Sequence, residues 1–327
     1  MKTQSTERTA GIETEPKEQT YVEAAKRGRH RWWRYLLGMV VILFAWLVVG
    51  TVASLLVAFA LGGQEGIAAF GQTDSSVLGP FGSFLTVMAG FPFFLAGVLV
   101  AVTLVHRRPP RTLVTARERI SWRRVGHGFV AWFAPFCVVD GMGQYLLYPD
   151  EFSFAPDLAT FALFVPLALF FTAIQTTTEE LFCRGYIVQF ASLLWVNRVF
   201  LALVSAVIFT IPHLANPEAQ AGGWLQVFIV YFVSGGLVLV VVSLVEGTTE
   251  LAIGAHFANN IGFFLVINAA GGVATTPALF TVSEYHATFH TLSVLVIVPV
   301  FLAISYKVFR RDEASEPVSK SYRKGSR

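Results

Sequence analysis

Eight stretches of the chain are apolar for long enough to shape the fold: 35–61, 83–106, 125–147, 158–178, 199–214, 224–245, 251–271 and 288–308. Most approach the roughly 20 residues that an α-helix needs to cross a bilayer. The fourth stays apolar to 196, and at about 1.5 Å per residue it is much longer than a hydrocarbon core of about 30 Å. Within it, Gln175-Thr176-Thr177-Thr178 is a place for a bend or a restart, and Thr176 with Glu179 has capping-box spacing. One long or broken helix is predicted there, because two spans would invert the charge pattern downstream. The first stretch starts too far in, and is too long, for a cleaved signal peptide. The pattern predicts an all-α, polytopic membrane protein with about eight transmembrane helices and no internal repeat.

Composition agrees. Hydrophobic residues make up 54% of the 327 and charged residues only 14%, against roughly a quarter charged in a soluble domain. The net charge of +3 is too small to suggest a nucleic-acid partner, and its distribution is more informative than its sum. Of the 24 Lys and Arg, 8 precede the first span, 7 lie between the second and third, and 7 fall from Lys307 onward, with Arg184 and Arg198 making up the rest. Segments 62–82, 148–157, 215–223 and 272–287 hold none. By the positive-inside rule this places both termini in the cytoplasm and predicts a multi-pass protein of the cell membrane. Residues 1–34 then form a basic cytoplasmic tail, disordered over its first 31 residues, 35–308 a membrane helical domain, and 309–327 a second basic tail. Trp32, Trp33, Trp122 and Trp195 fall near the inner boundary, as an aromatic belt would. The basic loop 106–124 suits contact with anionic lipid. Cys137 and Cys183 lie in apolar runs and read as small buried hydrophobes, neither disulfide nor metal site.

Ionisable groups in a bilayer cost about 2.5–3.5 kcal/mol each on insertion scales, so each needs a reason. Glu179-Glu180-Leu181-Phe182-Cys183-Arg184 places two acids and a base in a turn and a half. Glu180 and Arg184 are i,i+4 and can neutralise each other. Glu179 points about 100° away, without a local counter-charge, and is the better candidate for a general base. The plainer alternative is an Arg–Glu pair that joins two helices. Phe209-Thr210-Ile211-Pro212-His213 ends the next helix. With a turn at Asn197, Glu179 and His213 come within about 3 Å of one depth, although a histidine there also suits the membrane interface. In Ala255-His256-Phe257-Ala258-Asn259-Asn260, His256 and Asn260 share a face. They could stabilise an oxyanion or bond to a neighbouring helix. His256 lies only about 10–14 Å from the turn near Gly247, so either that turn dips into the membrane or the fourth and fifth helices project inward. Glu246 and Glu250 read as solvated and Asp140 as structural. His286 and His290 are i,i+4 without an evident third metal ligand.

Glu-Glu-x-x-x-Arg, Phe-x-x-x-His and His-x-x-x-Asn, in that order on successive apolar helices, resemble the CAAX-protease and bacteriocin-processing (CPBP, Abi-type) family, which includes the type II CAAX prenyl endopeptidase. The likeness covers roughly 159–268, and a glycine, Gly185, follows the arginine as is usual there. Cys183 stands where phenylalanine is common, and Pro212 precedes the histidine. The resemblance implies an intramembrane endopeptidase acting on a membrane-associated peptide or protein, in a cleft open to the cytoplasmic side. Glu179 would activate water with His213 assisting, His256 and Asn260 would stabilise the oxyanion, and Glu180 and Arg184 would hold the geometry. It leaves the cofactor open: in a metal-dependent version Glu179, His213 and His256 would ligate zinc, yet there is no His-Glu-x-x-His helix. Two other readings stand beside it. One is a non-catalytic partner, such as a bacteriocin-immunity or scaffold protein. The other is a proton-coupled transporter, which needs polar groups toward both faces.

Overall fold

The computed structural model describes residues 19–70, 76–154 and 157–309. Each of the eight apolar runs forms a helix over most of its length. They form α1 (Trp32–Ala69), α2 (Gly82–Val105), α3 (Trp122–Leu147), α4 (Leu158–Ala191), α5 (Arg198–His213), α6 (Pro217–Glu246), α7 (Glu250–Ile261, extended by a wider turn over Gly262–Val266) and α8 (Ala287–Phe309). Among the described residues six of these are long and apolar enough to cross a membrane, while α5 and α7 are shorter. The chain is a multi-pass, all-α membrane protein. α1 lies at the periphery and turns Leu36, Val40, Phe44 and Leu47 outward, as a surface solvated by lipid tails allows.

Polar side chains at three helix starts accept from free backbone N–H groups: Ser121 from Arg124, Asp157 from Ala159, and Asn197 from Val199 and Phe200. Asn197 is therefore the turn from α4 to α5. α3 and α7 cross with their backbones in contact. A Cβ on Gly254 would stand 2.7 Å from the Phe129 nitrogen, and one on Gly128 would stand 2.9 Å from the Leu251 carbonyl carbon. Only hydrogen fits at this crossing, which sets the depth of His256, two residues beyond Gly254.

α4 neither bends nor restarts at Gln175–Thr178. The Thr176 and Thr178 hydroxyls donate back to the Thr172 and Ile174 carbonyls at 2.9 and 2.6 Å, a bond that a threonine makes within a continuing helix. The irregularity comes later, as a wider turn over Leu181–Ile187. At about 1.5 Å per residue the 34 residues run about 50 Å. The excess length is covered by protein, since 181–189 is buried throughout.

That cover corrects the expectation of a disordered basic tail. Residues 1–18 lie outside the described residues, but 19–34 are ordered. Tyr21, Ala24 and Ala25 are buried in a short helical turn capped reciprocally by Thr20 and Glu23. Tyr21 N–H donates to the Gly247 carbonyl at 3.0 Å, and Thr249 N–H to that of Val114 at 2.9 Å. The turn near Gly247 thus dips inside the molecule, beneath 20–27 and the 106–116 loop, which explains the shallow position of His256. Glu250 is not solvated, and Glu246 is only partly so. Arg124 reaches both, at 2.5 and 3.1 Å, and Glu250 is fully buried. The two carboxylates share one guanidinium within the protein.

The pattern did not predict a sheet. Three-residue strands β1 (Phe152–Phe154), β2 (Ile267–Ala269) and β3 (Phe280–Val282) assemble at the end of the bundle without Lys or Arg. β3 is central, antiparallel to β1 and parallel to β2. Cys137 and Cys183 are free, and Trp32, Trp33, Trp122 and Trp195 are exposed near helix ends.

Candidate active site

α4 supplies Glu179, Glu180 and Arg184. Glu180 and Arg184 pair at 3.1 Å, and both side chains are 0% exposed. The pair is not fully satisfied, since Glu180 Oε2 and Arg184 Nε have no hydrogen-bond partner, so its hold rests on charge and on the contacts of the guanidinium. Arg184 also donates to the Gly235 carbonyl of α6 and lies over the Phe209 ring of α5, 4.3 Å from its centroid. One guanidinium thus ties three helices. Gly185 lets the 110–113 loop close over the pair, since a Cβ there would stand 2.8 Å from that of Leu113.

α7 brings His256 onto both acids. Its Nδ1–H donates to Glu180 Oε1 at 2.8 Å, and its Nε2 lies 3.4 Å from Glu179 Oε2. Glu180 fixes the ring orientation as a carboxylate behind a histidine does, which turns Nε2 towards Glu179. Glu179 Oε2 is buried and has no hydrogen-bond partner. The residue that reaches Glu179 is thus His256. No hydrogen bond joins His213 to Glu179 among the described residues. α5 runs through Pro212 to its last residue, where His213 Nδ1–H donates to the Phe209 carbonyl at 2.7 Å, leaving Nε2 outward. The Phe209 ring packs against both imidazoles, its centroid 4.4 Å from that of His213 and 5.7 Å from that of His256.

Asn260 sits in a chain of amides whose direction one group fixes. The Trp132 indole can only donate, and it donates to Asn259 Oδ1 at 3.2 Å. Asn259 Nδ2 therefore donates to Asn260 Oδ1 at 3.0 Å, and Asn260 Nδ2 to Gln175 Oε1 at 3.2 Å. One Asn260 N–H is left over.

Glu179, His213, His256 and Asn260 line a single cavity of about 340 Å³, while Glu180 and Arg184 stand behind it. Much of the remaining wall is apolar, including Trp46, Phe91, Phe136, Phe263 and Leu239. Glu179 lies about 18 Å from the Ala191 end of α4. The cavity does not extend towards the basic end of the bundle, where a cleft was expected. No residue of 19–34, 106–124 or 246–250 lines it. It runs the other way, to Asn216 and Glu218 and to 268–274 beside β2, because the basic end is filled by the ordered N-terminal segment and the 106–116 loop.

Among the described residues no three His, Cys, Asp or Glu side chains converge to hold a metal ion. Glu179, His213 and His256 do not form a ligand set as placed, although Glu180 behind the His256 Nδ1–H leaves Nε2 free to ligate.

Residues 160–262 match the family model described as type II CAAX prenyl endopeptidase Rce1-like. The chain is also similar to YyaK of Bacillus subtilis (strain 168), a protein described as uncharacterized. The two are 30% identical over 227 residues, 68% of this chain and 75% of YyaK. The chain belongs to the Rce1-like family. At family level this means a CAAX-protease-type endopeptidase within the membrane. No solved structure matches the chain. The Rce1-like match spans the motifs on α4, α5 and α7, but not Trp132, Asp140, Tyr285 or His290, which line the same cavity. Sequence reasoning also passed over Gln175, Asn259 and Glu218. Glu218 follows Asn216-Pro217, a helix start where an acidic residue normally faces water. The neutral amides carried no charge to draw attention in an apolar run.

Proposed function

We propose that this Rce1-like protein is an intramembrane endopeptidase that hydrolyses a peptide bond of a membrane-associated peptide or protein, with Glu179 activating water. The observation that carries the reading is the placement of His256 between Glu179 and Glu180, in one cavity with His213 and Asn260. Only one of the two acids has a guanidinium at hand. Glu180, paired with Arg184, orients His256, and Glu179 is left facing the cavity. A carboxylate beside an imidazole in an apolar pocket is suited to take a proton.

In this mechanism Glu179 takes a proton from water while the water oxygen attacks the carbonyl carbon. The spare Asn260 N–H, and the Nε2–H of His256 when that ring is protonated on both nitrogens, meet the developing oxyanion, while His213 offers an Nε2 acceptor that can hold the water. Collapse breaks the C–N bond, and the proton passes from Glu179 to the departing amine. The products are a carboxylic acid and an amine, which ionise to carboxylate and ammonium, and Glu179 is left as it began.

The charge pattern supports cytoplasmic termini, a cell-membrane location and basic tails at 1–34 and 309–327 around the 35–308 domain. On that topology the cavity lies towards the non-cytoplasmic half of the bilayer and opens there. Purified protein in liposomes should cleave a membrane-anchored reporter peptide, and His256→Ala should abolish cleavage while the protein stays folded. Undiminished cleavage by His256→Ala would remove the basis of the proposal.

A further inference from the structure

The cavity continues past Glu179 to a second set of polar side chains: Asp140 of α3, Glu218 of α6, Tyr285, and His290 of α8. His290 Nδ1–H donates to Asp140 Oδ1 at 2.8 Å, and the ring stacks on Tyr285 with centroids 4.6 Å apart. Asp140 also accepts from Ser293 at 2.9 Å and from Gln144 at 3.0 Å, so both its oxygens are engaged. His290 is 3% exposed, and its Nε2, at the far end of the ring from Asp140, has no hydrogen-bond partner. Glu218 is in a similar state. Its Oε1 accepts from Val273 N–H at 2.6 Å, while its buried Oε2 has no partner. Two helices thus bring unmatched acceptors to one cavity. A buried acceptor without a donor costs about 1–3 kcal/mol, and more when charged.

Charge points the same way. The acids and imidazoles lining the cavity are Asp140, Glu179, Glu218, His213, His256 and His290, and no Lys or Arg lines it. At the Asp140 end two carboxyl groups face one imidazole. With both ionised, even a protonated His290 would leave one negative charge. The group that completes this site is a cation that donates hydrogen bonds, and a primary ammonium carries three N–H donors on one charge. A metal ion fits less well, because no three ligating side chains converge among the described residues.

We propose that Asp140, Glu218, Tyr285 and His290 form a second subsite of the cavity, which takes a primary ammonium group of the bound peptide, either a lysine side chain or a free amino terminus. Naming the ligand as the substrate rests on the proteolytic reading; binding of the ammonium does not.

The test is binding of fluorescent apolar peptides to the purified protein. One series is N-acetylated with a single lysine moved along the peptide. The second carries norleucine throughout behind a free amino terminus, and the reference is its N-acetylated counterpart. We expect either a lysine at some position or the free terminus to bind about tenfold more tightly than the reference, by analogy with other charge-assisted hydrogen bonds. The series that gains identifies the source. Glu218→Gln, which keeps the acceptor used by Val273, should erase the gain. Glu151→Gln, which alters a pair with His286 outside the cavity, should keep it. Equal affinity across all peptides, or a gain that survives Glu218→Gln, overturns the proposal. Cleavage of the same peptides is read in parallel. An ammonium preference without cleavage sinks the proteolytic reading and leaves the subsite standing, and cleavage without preference does the reverse.

Discussion

His256 rests on Glu180 and His290 rests on Asp140, both at 2.8 Å and both against the same cavity. What stands behind the two carboxylates differs. Glu180 has the buried guanidinium of Arg184 beside it, itself braced by α6 and by the Phe209 ring. Asp140 has only the neutral donors Ser293 and Gln144. In each cluster a second acid, Glu179 or Glu218, keeps an oxygen without a hydrogen-bond partner; Glu180 Oε2 also lacks one, but its charge is met by Arg184. The contrast separates two uses of charge in a membrane. A carboxylate matched by a guanidinium builds structure and orients a histidine. An acid left partly unmatched at a cavity wall is available to water or to a ligand.

Substitutions can break this contrast. The largest effect should follow Arg184→Met, which leaves Glu180 buried without its counter-charge and should cost about 3–5 kcal/mol of unfolding stability in detergent. Adding Glu180→Gln should recover part of the loss. Asp140→Asn should cost less, about 1.5–3 kcal/mol for a hydrogen bond to a charged group. If it costs as much as Arg184→Met, the outer cluster also depends on charge and the distinction fails. Gln144→Leu, which removes one neutral donor, should cost about 1 kcal/mol. Smallest of all, Glu151→Gln weakens a partly exposed pair with His286 and should change stability by about 0–1 kcal/mol. Chelation sharpens the comparison from another direction. Because no three ligands converge at either cluster, proteolysis of a reporter peptide should persist in a chelator.

Much of the inner cluster was legible in the sequence. Glu179, Glu180, Arg184, His213, His256 and Asn260 interrupt apolar runs where each polar group is expensive, and i,i+4 spacing pairs two of them. The helices were legible for the same reason, since hydropathy is a local signal. The outer cluster was not, because Asp140 and His290 are 150 residues apart in sequence. Nothing local links them, and Glu218 resembles a solvated helix start. Strands of three residues are too short to show an alternating pattern. The ordering of 19–31 depends on tertiary contacts: Tyr21 packs against α4 and α6 in a cluster with Val188 and Val240. Those contacts also close the basic end and turn the cavity away from it.

The most direct test of the account is Glu179→Gln, compared with the parent protein in matched liposomes carrying a membrane-anchored reporter peptide. Loss of a general base should slow cleavage by about 100-fold or more, with unfolding temperature and reporter binding little changed. Cleavage at the parent rate by a folded Glu179→Gln protein would contradict the account.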